Sequence, residues 1–204
     1  MQYHHGNLKQ QLIACAYESI ASNGIDGISL RNIAKIAKVS PTAPYRHFSS
    51  KEHLLADVAA LGFDNLYGAL PKKTETTGDP QEDLVIGCLI YIYFGFENRN
   101  IFELMFHYPM NKGLFPSLRV SANKAFDLLS ERIQRINGAT AASSALNSMS
   151  MLAYTHGLLN IIQNDEFVDE SSETEYAKAS PQVKENLNKL LLRFVKNLDF
   201  SEMP

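Results

Sequence analysis

The chain has 204 residues, 45% of them hydrophobic and 20% charged, and a net charge of −3. That apolar content excludes a disordered chain and suffices for a substantial core in one domain or in a small domain joined to a larger one. Two distant cysteines, Cys15 and Cys88, with no CxxC, exclude a disulfide scaffold. No secretory apolar region opens the sequence and no metal-like His/Cys cluster appears, so the reading is a cytoplasmic protein without a metal or cofactor. The uncharged, almost wholly apolar run from Leu84 to Phe96 has thirteen residues. A membrane-spanning helix needs about 20, so this run reads as a buried core helix.

Charge is spread unevenly. Residues 1–51 carry Lys9, Arg31, Lys35, Lys38, Arg46 and Lys51 against Glu18 and Asp26, a balance of +4, and the remainder carries −7. A basic front end on an acidic body is the asymmetry expected where one face meets a polyanion.

In chain order, Asn7 and Gln10 have capping-box spacing, and Leu8, Leu12, Ile13, Ala16 and Ile20 fall at helical intervals up to Asn23-Gly24, which predicts a helix over about 8–22. Ser29 caps a short helix, "LRNIAKIA". A third begins at Ser40 with Pro41 in its first position and Pro44 further in. A proline costs about 3 kcal/mol inside a helix and little in the first turn, so such a helix is wanted for its start rather than its length. Ser49 and Glu52 then form a second capping box that opens a longer helix to about Leu66.

The Pro/Gly-bounded segment 71–80 reads as a hinge, after which Asp79-Pro80 restarts a helix with acids in its first turn. Asn100 and Glu103 open a short helix. A long one runs to Asn137-Gly138, another from Thr140 to about Gln163, and Ser180-Pro181 starts the last after an acidic link at 164–175. Alternation of the strand type is nowhere sustained. The expected fold is all-α, an N-terminal helix-turn-helix domain over 1–52 and a helical body over 53–204.

A helix valued for its first turn suits the major groove of DNA, where residues near the helix start reach base edges and free N–H groups favour phosphate. The run "SLRNIAKIAKVSPTAPYRHFSSKEHLL" resembles the DNA-binding domain of TetR-family transcriptional regulators over about residues 7–58. The resemblance implies that Tyr45 and Lys51 hold phosphates and that Pro41, Thr42 and Ala43 face bases, following a cap at Ser40. It places His47 at the groove margin and Ser29 and Arg31 at phosphate by the second helix's N-terminus, while Arg46 is a further DNA-binding candidate or an ordinary solvated side chain. Lys38 stands where the family usually has glycine at the tight turn, which implies an uncommon positive φ and adds a cation. "YHHGNL" and the late "LAYTHGLL" resemble a subgroup with Trp-x-x-x-His-Gly. His156-Gly157 is kept, but the tryptophan position falls at Leu152 in a chain without Trp.

The body is read from its own residues. Tyr91, Phe94, Phe102, Met105 and Phe106, with Met149 and His156, are the expected lining of an apolar ligand pocket, and the alternative is that they only fill a core. Ala141, Ala145 and Leu152 on one late helix, with Leu187, Leu191, Phe194 and Leu198 on the last, are the expected homodimer interface. Together these imply a ligand-responsive regulator, most simply a repressor released from palindromic double-stranded operator DNA by a small apolar effector. The alternatives are a dimeric DNA-binding protein with no effector and, remotely, a helical enzyme. The only S-x-x-K, Ser121 to Lys124, lacks its partner motifs, so no catalytic residue is assigned.

Overall fold

The computed structural model describes residues 8–71, 77–106, 108, 112–136, 140–164 and 182–198, and every regular element among them is helical. The all-α expectation is met. In chain order these are α1 (Leu8–Asn23), α2 (Leu30–Ile36), a 3-10 turn (Ala43–Arg46), α3 (Lys51–Ala69), α4 (Pro80–Glu97), α5 (Arg99–Phe106), a second 3-10 turn (Lys112–Leu114), α6 (Pro116–Gln134) and α7 (Ala141–Asn164). A helical turn at 182–185 then leads into α8 (Leu187–Asn197). The expected caps at Asn7 and Ser180 and the acidic link from 165 onward lie outside the described residues.

The chain forms two compact units, Met1–Asn65 with Asn98–Asn123, and Leu66–Glu97 with Lys124–Pro204. The first extends past residue 52 to take in most of α3, then α5 and the start of α6. Its core is built from the apolar spacing of each helix: Leu12, Ala16 and Ile20 of α1, Ile33 and Ala34 of α2, Leu54, Leu55 and Val58 of α3, and Ile101, Phe102 and Leu104 of α5, each 0–1% exposed. Gly24, at φ 75°, ends α1 with its N–H on Ile20 O at 2.8 Å. Asn100 does not cap its own helix as its spacing suggests. Its amide donates to Ala21 O at 2.9 Å and satisfies a carbonyl at the end of α1.

Helix α3 meets α5 at very close range. A Cβ at Gly62 would lie 2.7 Å from Met105 Sδ and 2.9 Å from Ile101 Cγ2. One turn earlier, Asp57 is 6% exposed within the otherwise apolar run 54–60. Its Oδ1 accepts a 2.6 Å hydrogen bond from Ser117 Oγ of α6, and its Oδ2 lies 2.7 Å from Lys9 Nζ of α1. A buried carboxylate is tolerable only with such partners.

In the second unit α4 packs against α7 and α8. Leu84, Ile92, Met151, Leu159, Leu191 and Val195 form its centre, each 0–1% exposed. Asp79 Oδ1 caps α4 through Gln81 N at 2.8 Å, as the Asp-Pro start predicts. Arg132 of α6 is 7% exposed and donates to Asp83 O at 2.9 Å and Pro71 O at 2.6 Å. Asp83 accepts from Thr77 N at 2.8 Å and Thr77 Oγ1 at 3.0 Å, with Arg135 Nη2 3.3 Å away. A third polar layer runs along α7, where Ser144, Ser148 and Thr155 are buried and each hydroxyl bonds a carbonyl four residues back.

Candidate nucleic-acid interface

Ser29 caps α2 as expected, its Oγ accepting from Asn32 N at 3.1 Å, so that hydroxyl already has a protein partner. The helix closes at Ala37. Lys38 follows at φ 56°, with its N–H on Lys35 O at 3.2 Å and Val39 N on Ala34 O at 3.0 Å. The positive φ read from the sequence is therefore present. Glycine takes this αL position without a Cβ penalty, whereas lysine bears one.

The recognition element differs from its expectation. No helix starts at Ser40, and Pro41 and Thr42 form a turn. Thr42 takes the N-cap position of a single 3-10 turn, with Pro44, not Pro41, in its first positions. Ala43 N bonds Ser40 O at 3.0 Å, and His47 N and Phe48 N both bond Pro44 O at 2.9 Å. The physical reason lies in the two prolines. The residue before a proline is pushed out of the α region, which applies at Ser40, and Pro44 has no N–H to carry an α-helical ladder back to Ser40 O. One turn is all that Pro41, Pro44 and their neighbours allow.

Pro44 and Phe48 are buried, anchoring the turn, while Tyr45 is 55% exposed and Arg46 is exposed beside it. Thr42 and Pro41 are exposed, Ala43 and His47 partly so. Thr42 Oγ1 lies 3.3 Å from Ser40 Oγ. Arg31, Lys38 and Arg46 are all exposed. None of the three side chains has a hydrogen bond or ion pair among the described residues.

The following helix begins one residue later than its predicted cap. Ser50 Oγ accepts from His53 N at 3.2 Å, while Ser49 Oγ lies 3.3 Å from His53 Nδ1. Glu52 is held below the usual carboxylate range by its own backbone N–H and the Ser50 hydroxyl, so the Ser49–Glu52 capping box is replaced by a simple cap at Ser50. Lys51 is the first residue of α3 and is half-buried. The geometry is a helix, a tight αL turn, one 3-10 turn with an outward tyrosine, and a fresh helix start carrying lysine.

The family profile described as "Bacterial regulatory proteins, tetR family" matches residues 12–58. Residues 12–58 thus match the N-terminal domain of the TetR family. A protein of unknown function from Rhodococcus sp. RHA1 superposes with a TM-score of 0.72 at 23% identity, covering 95% of this chain and 98% of that one. A TetR variant from Acinetobacter baumannii AYE in complex with minocycline gives 0.61 at 19% identity, covering 92% and 94%. BioQ with its double-stranded DNA operator gives 0.56 at 21% identity, covering 92% and 99%. At these identities the likeness speaks for the fold. No curated protein matches the sequence.

The residues expected to line a ligand pocket fall into two groups. In the first unit Phe102 and Met105 are 1% and 2% exposed, and Phe106 packs on Phe102 and Phe63 with ring centroids 4.5 and 5.2 Å away. In the second unit Tyr91 Oη lies 2.8 Å from His156 Nδ1, with both residues half-buried, as is Phe94. Burial first, and neighbouring Cys88 second, push the Tyr91 hydroxyl far up, so it remains a phenol able to donate to that nitrogen. Met149 stands 56% exposed on the surface of α7.

Of the residues expected at a dimer interface, Leu187 and Leu191 are 3% and 0% exposed inside the second unit. Phe194 stacks on Tyr154 with ring centroids 3.9 Å apart. Ala145 is exposed, Leu152 and Leu198 are partly so, and the side chain of Ala141 lies outside the described set. Sequence reasoning missed Asp57 and Arg132 altogether. A lone aspartate inside "LLADVAAL" was a signal that a partner must exist. Nothing near Arg132 in sequence marked it as buried. Among the described residues no group of three or more His, Cys, Asp or Glu side chains is placed to hold a metal ion, and no helix is long and apolar enough to cross a membrane.

Proposed function

We propose that this TetR-family DNA-binding regulator is a homodimeric repressor that leaves a roughly palindromic operator when a small apolar effector binds its helical body. The observation that carries the DNA half is the 3-10 turn at Ala43–Arg46, with Tyr45 outward and the unpaired cations Arg31, Lys38 and Arg46 around it. Exposed cations without acidic partners suit phosphate, and Pro41, Thr42 and Ala43 present small apolar groups suited to thymine methyls. BioQ, a fold neighbour, is complexed with its operator, which supports the same reading for this chain.

Support for the effector half comes from the Tyr91–His156 pair, a polar handle among the aromatics of α4, and from the minocycline complex of another fold neighbour. An effector acts only if it prefers the conformation that no longer fits the operator, and a coupling of about 1–3 kcal/mol lowers affinity some five- to 150-fold. Titration calorimetry of effector with and without operator duplex tests this, because linkage requires equal and reciprocal weakening. Equal effector affinities in the two titrations remove the regulatory half and leave DNA binding intact.

A second reading, a regulator without an effector, is favoured by that same pair, since a tyrosine hydroxyl that satisfies His156 is also what a packed core requires. A thermal-shift screen separates the two: a specific binder raises Tm by mass action, and an effector-free body gives no specific shift.

A further inference from the structure

Lys38 occupies a backbone conformation that its side chain makes unfavourable. At φ 56° it is the one non-glycine residue with positive φ among the described residues. Its N–H and that of Val39 close the end of α2 on Lys35 O and Ala34 O, the paired pattern in which the intervening residue must be left-handed. For an L-residue with a Cβ that conformation is strained, and for glycine it is not.

Beyond those two backbone bonds, no side-chain contact among the described residues offsets that strain. The side chain is exposed, with no hydrogen bond, ion pair or ring contact among the described residues, and neither Glu18 nor Asp26, the acids of the first 51 residues, pairs with it. Backbone strain that persists without an internal compensation points to a functional constraint. The position is also specific: two residues on, Ser40 begins the turn that presents Thr42 and Tyr45.

We propose that Lys38 is a phosphate-contacting residue held at a strained position for its charge, so that the chain gives up stability at this turn in exchange for affinity for DNA. The inference rests on the DNA-binding reading and goes beyond it by assigning a cost to one residue and a reason for bearing that cost. Glycine at this position makes a better turn and a poorer DNA-binding protein; arginine keeps both the strain and the contact.

The test compares the full chain with Lys38→Gly, Lys38→Arg and Lys189→Ala, using thermal melting and binding to a mixed-sequence duplex across a salt series. Lys189 lies exposed on α8 and controls for net charge. Lys38→Gly is expected to raise Tm by about 2–4 °C, as relief of a strained φ does in a domain of this size. It is also expected to flatten the slope of log affinity against log salt by about 0.9 per bound protomer. Lys38→Arg and Lys189→Ala keep the wild-type slope. A Lys38→Gly variant that melts higher yet keeps the wild-type slope overturns the contact, and one that loses slope without melting higher overturns the trade. If the unaltered chain binds the duplex with no salt dependence, the DNA-binding reading itself fails, a different result from either.

Discussion

Ser117 Oγ donates a 2.6 Å hydrogen bond to Asp57 Oδ1, tying the first turn of α6 to the middle of α3, the helix that begins at Lys51. Hydrogen bonds to charged groups contribute about 1.5–3 kcal/mol, and leaving a buried carboxylate half-satisfied costs more than the bond itself. Ser117→Ala should therefore lower unfolding free energy by about 2 kcal/mol. In Asp57→Ala, Lys9 loses its counter-charge but is partly solvated, so the loss should be about 3 kcal/mol and the double variant should fall short of the sum. Urea denaturation of the three variants checks both. Additive losses would mean that Ser117 and Asp57 do not act as a pair.

Asp83 makes stability depend on acid. Burial by itself pushes its carboxyl up, but the Thr77 N–H and O–H bonds, with Arg135 and Arg132, outweigh burial and hold it below the ordinary carboxylate range. Its folded value thus lies under the unfolded one of about 3.9, so its contribution is present above about pH 4 and lost as pH falls through the folded value. Asp83→Asn should destabilise at pH 7 by roughly 2 kcal/mol, and the gap to the unaltered chain should narrow steadily below pH 4. Denaturation midpoints from pH 7 to pH 2.5 measure that gap. A constant gap would dismiss the ionised form as the stabilising one.

Thr42 and Lys51 should separate by readout. Lys51→Ala should flatten the salt dependence by about one unit per protomer without altering base preference. Thr42→Ala should leave the slope alone and change the preferred base, by about 1–3 kcal/mol if its methyl and hydroxyl both face the groove. Selection from a randomised duplex library reads the preference, and an unchanged consensus removes Thr42 from the base-reading set.

Association should involve the outer face of α7. Leu146 and Met149 are 52% and 56% exposed, one turn apart, with Ala145 exposed beside them and Leu152 partly so. Leu191 is fully buried, so a charge there would test folding and not pairing. Met149→Glu should convert a dimer to monomer in sedimentation velocity while its circular dichroism stays that of the unaltered protein. A dimer that survives this change pairs through another face.

The two thiols should differ in reactivity. Burial, only partly countered by the Thr155 hydrogen bond and Arg132, pushes Cys88 up to about 12, so almost none is thiolate at neutral pH. Cys15, only partly exposed, is raised less. A Cys15→Ser variant should therefore resist a disulfide-exchange reagent until denaturant unfolds it, and prompt labelling of the native variant would contradict the burial of Cys88.

The helices and their order were legible because each rests on local spacing: Leu12, Ala16 and Ile20, or the caps at Ser29 and Asp79, act within a few residues. The strained Lys38 was legible through the family resemblance, which puts glycine at that tight turn. The recognition element was misread by weighing Pro41 alone as a helix starter. Pro41 instead pushes Ser40 out of the α region, and Pro44 lacks the N–H that an α-helix from Ser40 would need. Asp57 and Arg132 were hidden for a different reason. Their partners Ser117, Asp83 and Pro71 stand 49 to 61 residues away in sequence, and no periodicity reports a contact of that separation.

Gly62 sets a mechanical register. Where its absent side chain would lie, Met105 and Ile101 already occupy the space, so α3 and α5 are keyed together at one point. Sliding α3 by a residue would drive Leu61 or Phe63 into a slot that accepts only hydrogen. Lys51 lies eleven residues, or about 16 Å, along the same rod. The lysine is thus indexed to its unit by a missing methyl group, and alanine at 62 would shift its height without touching any residue proposed to face DNA.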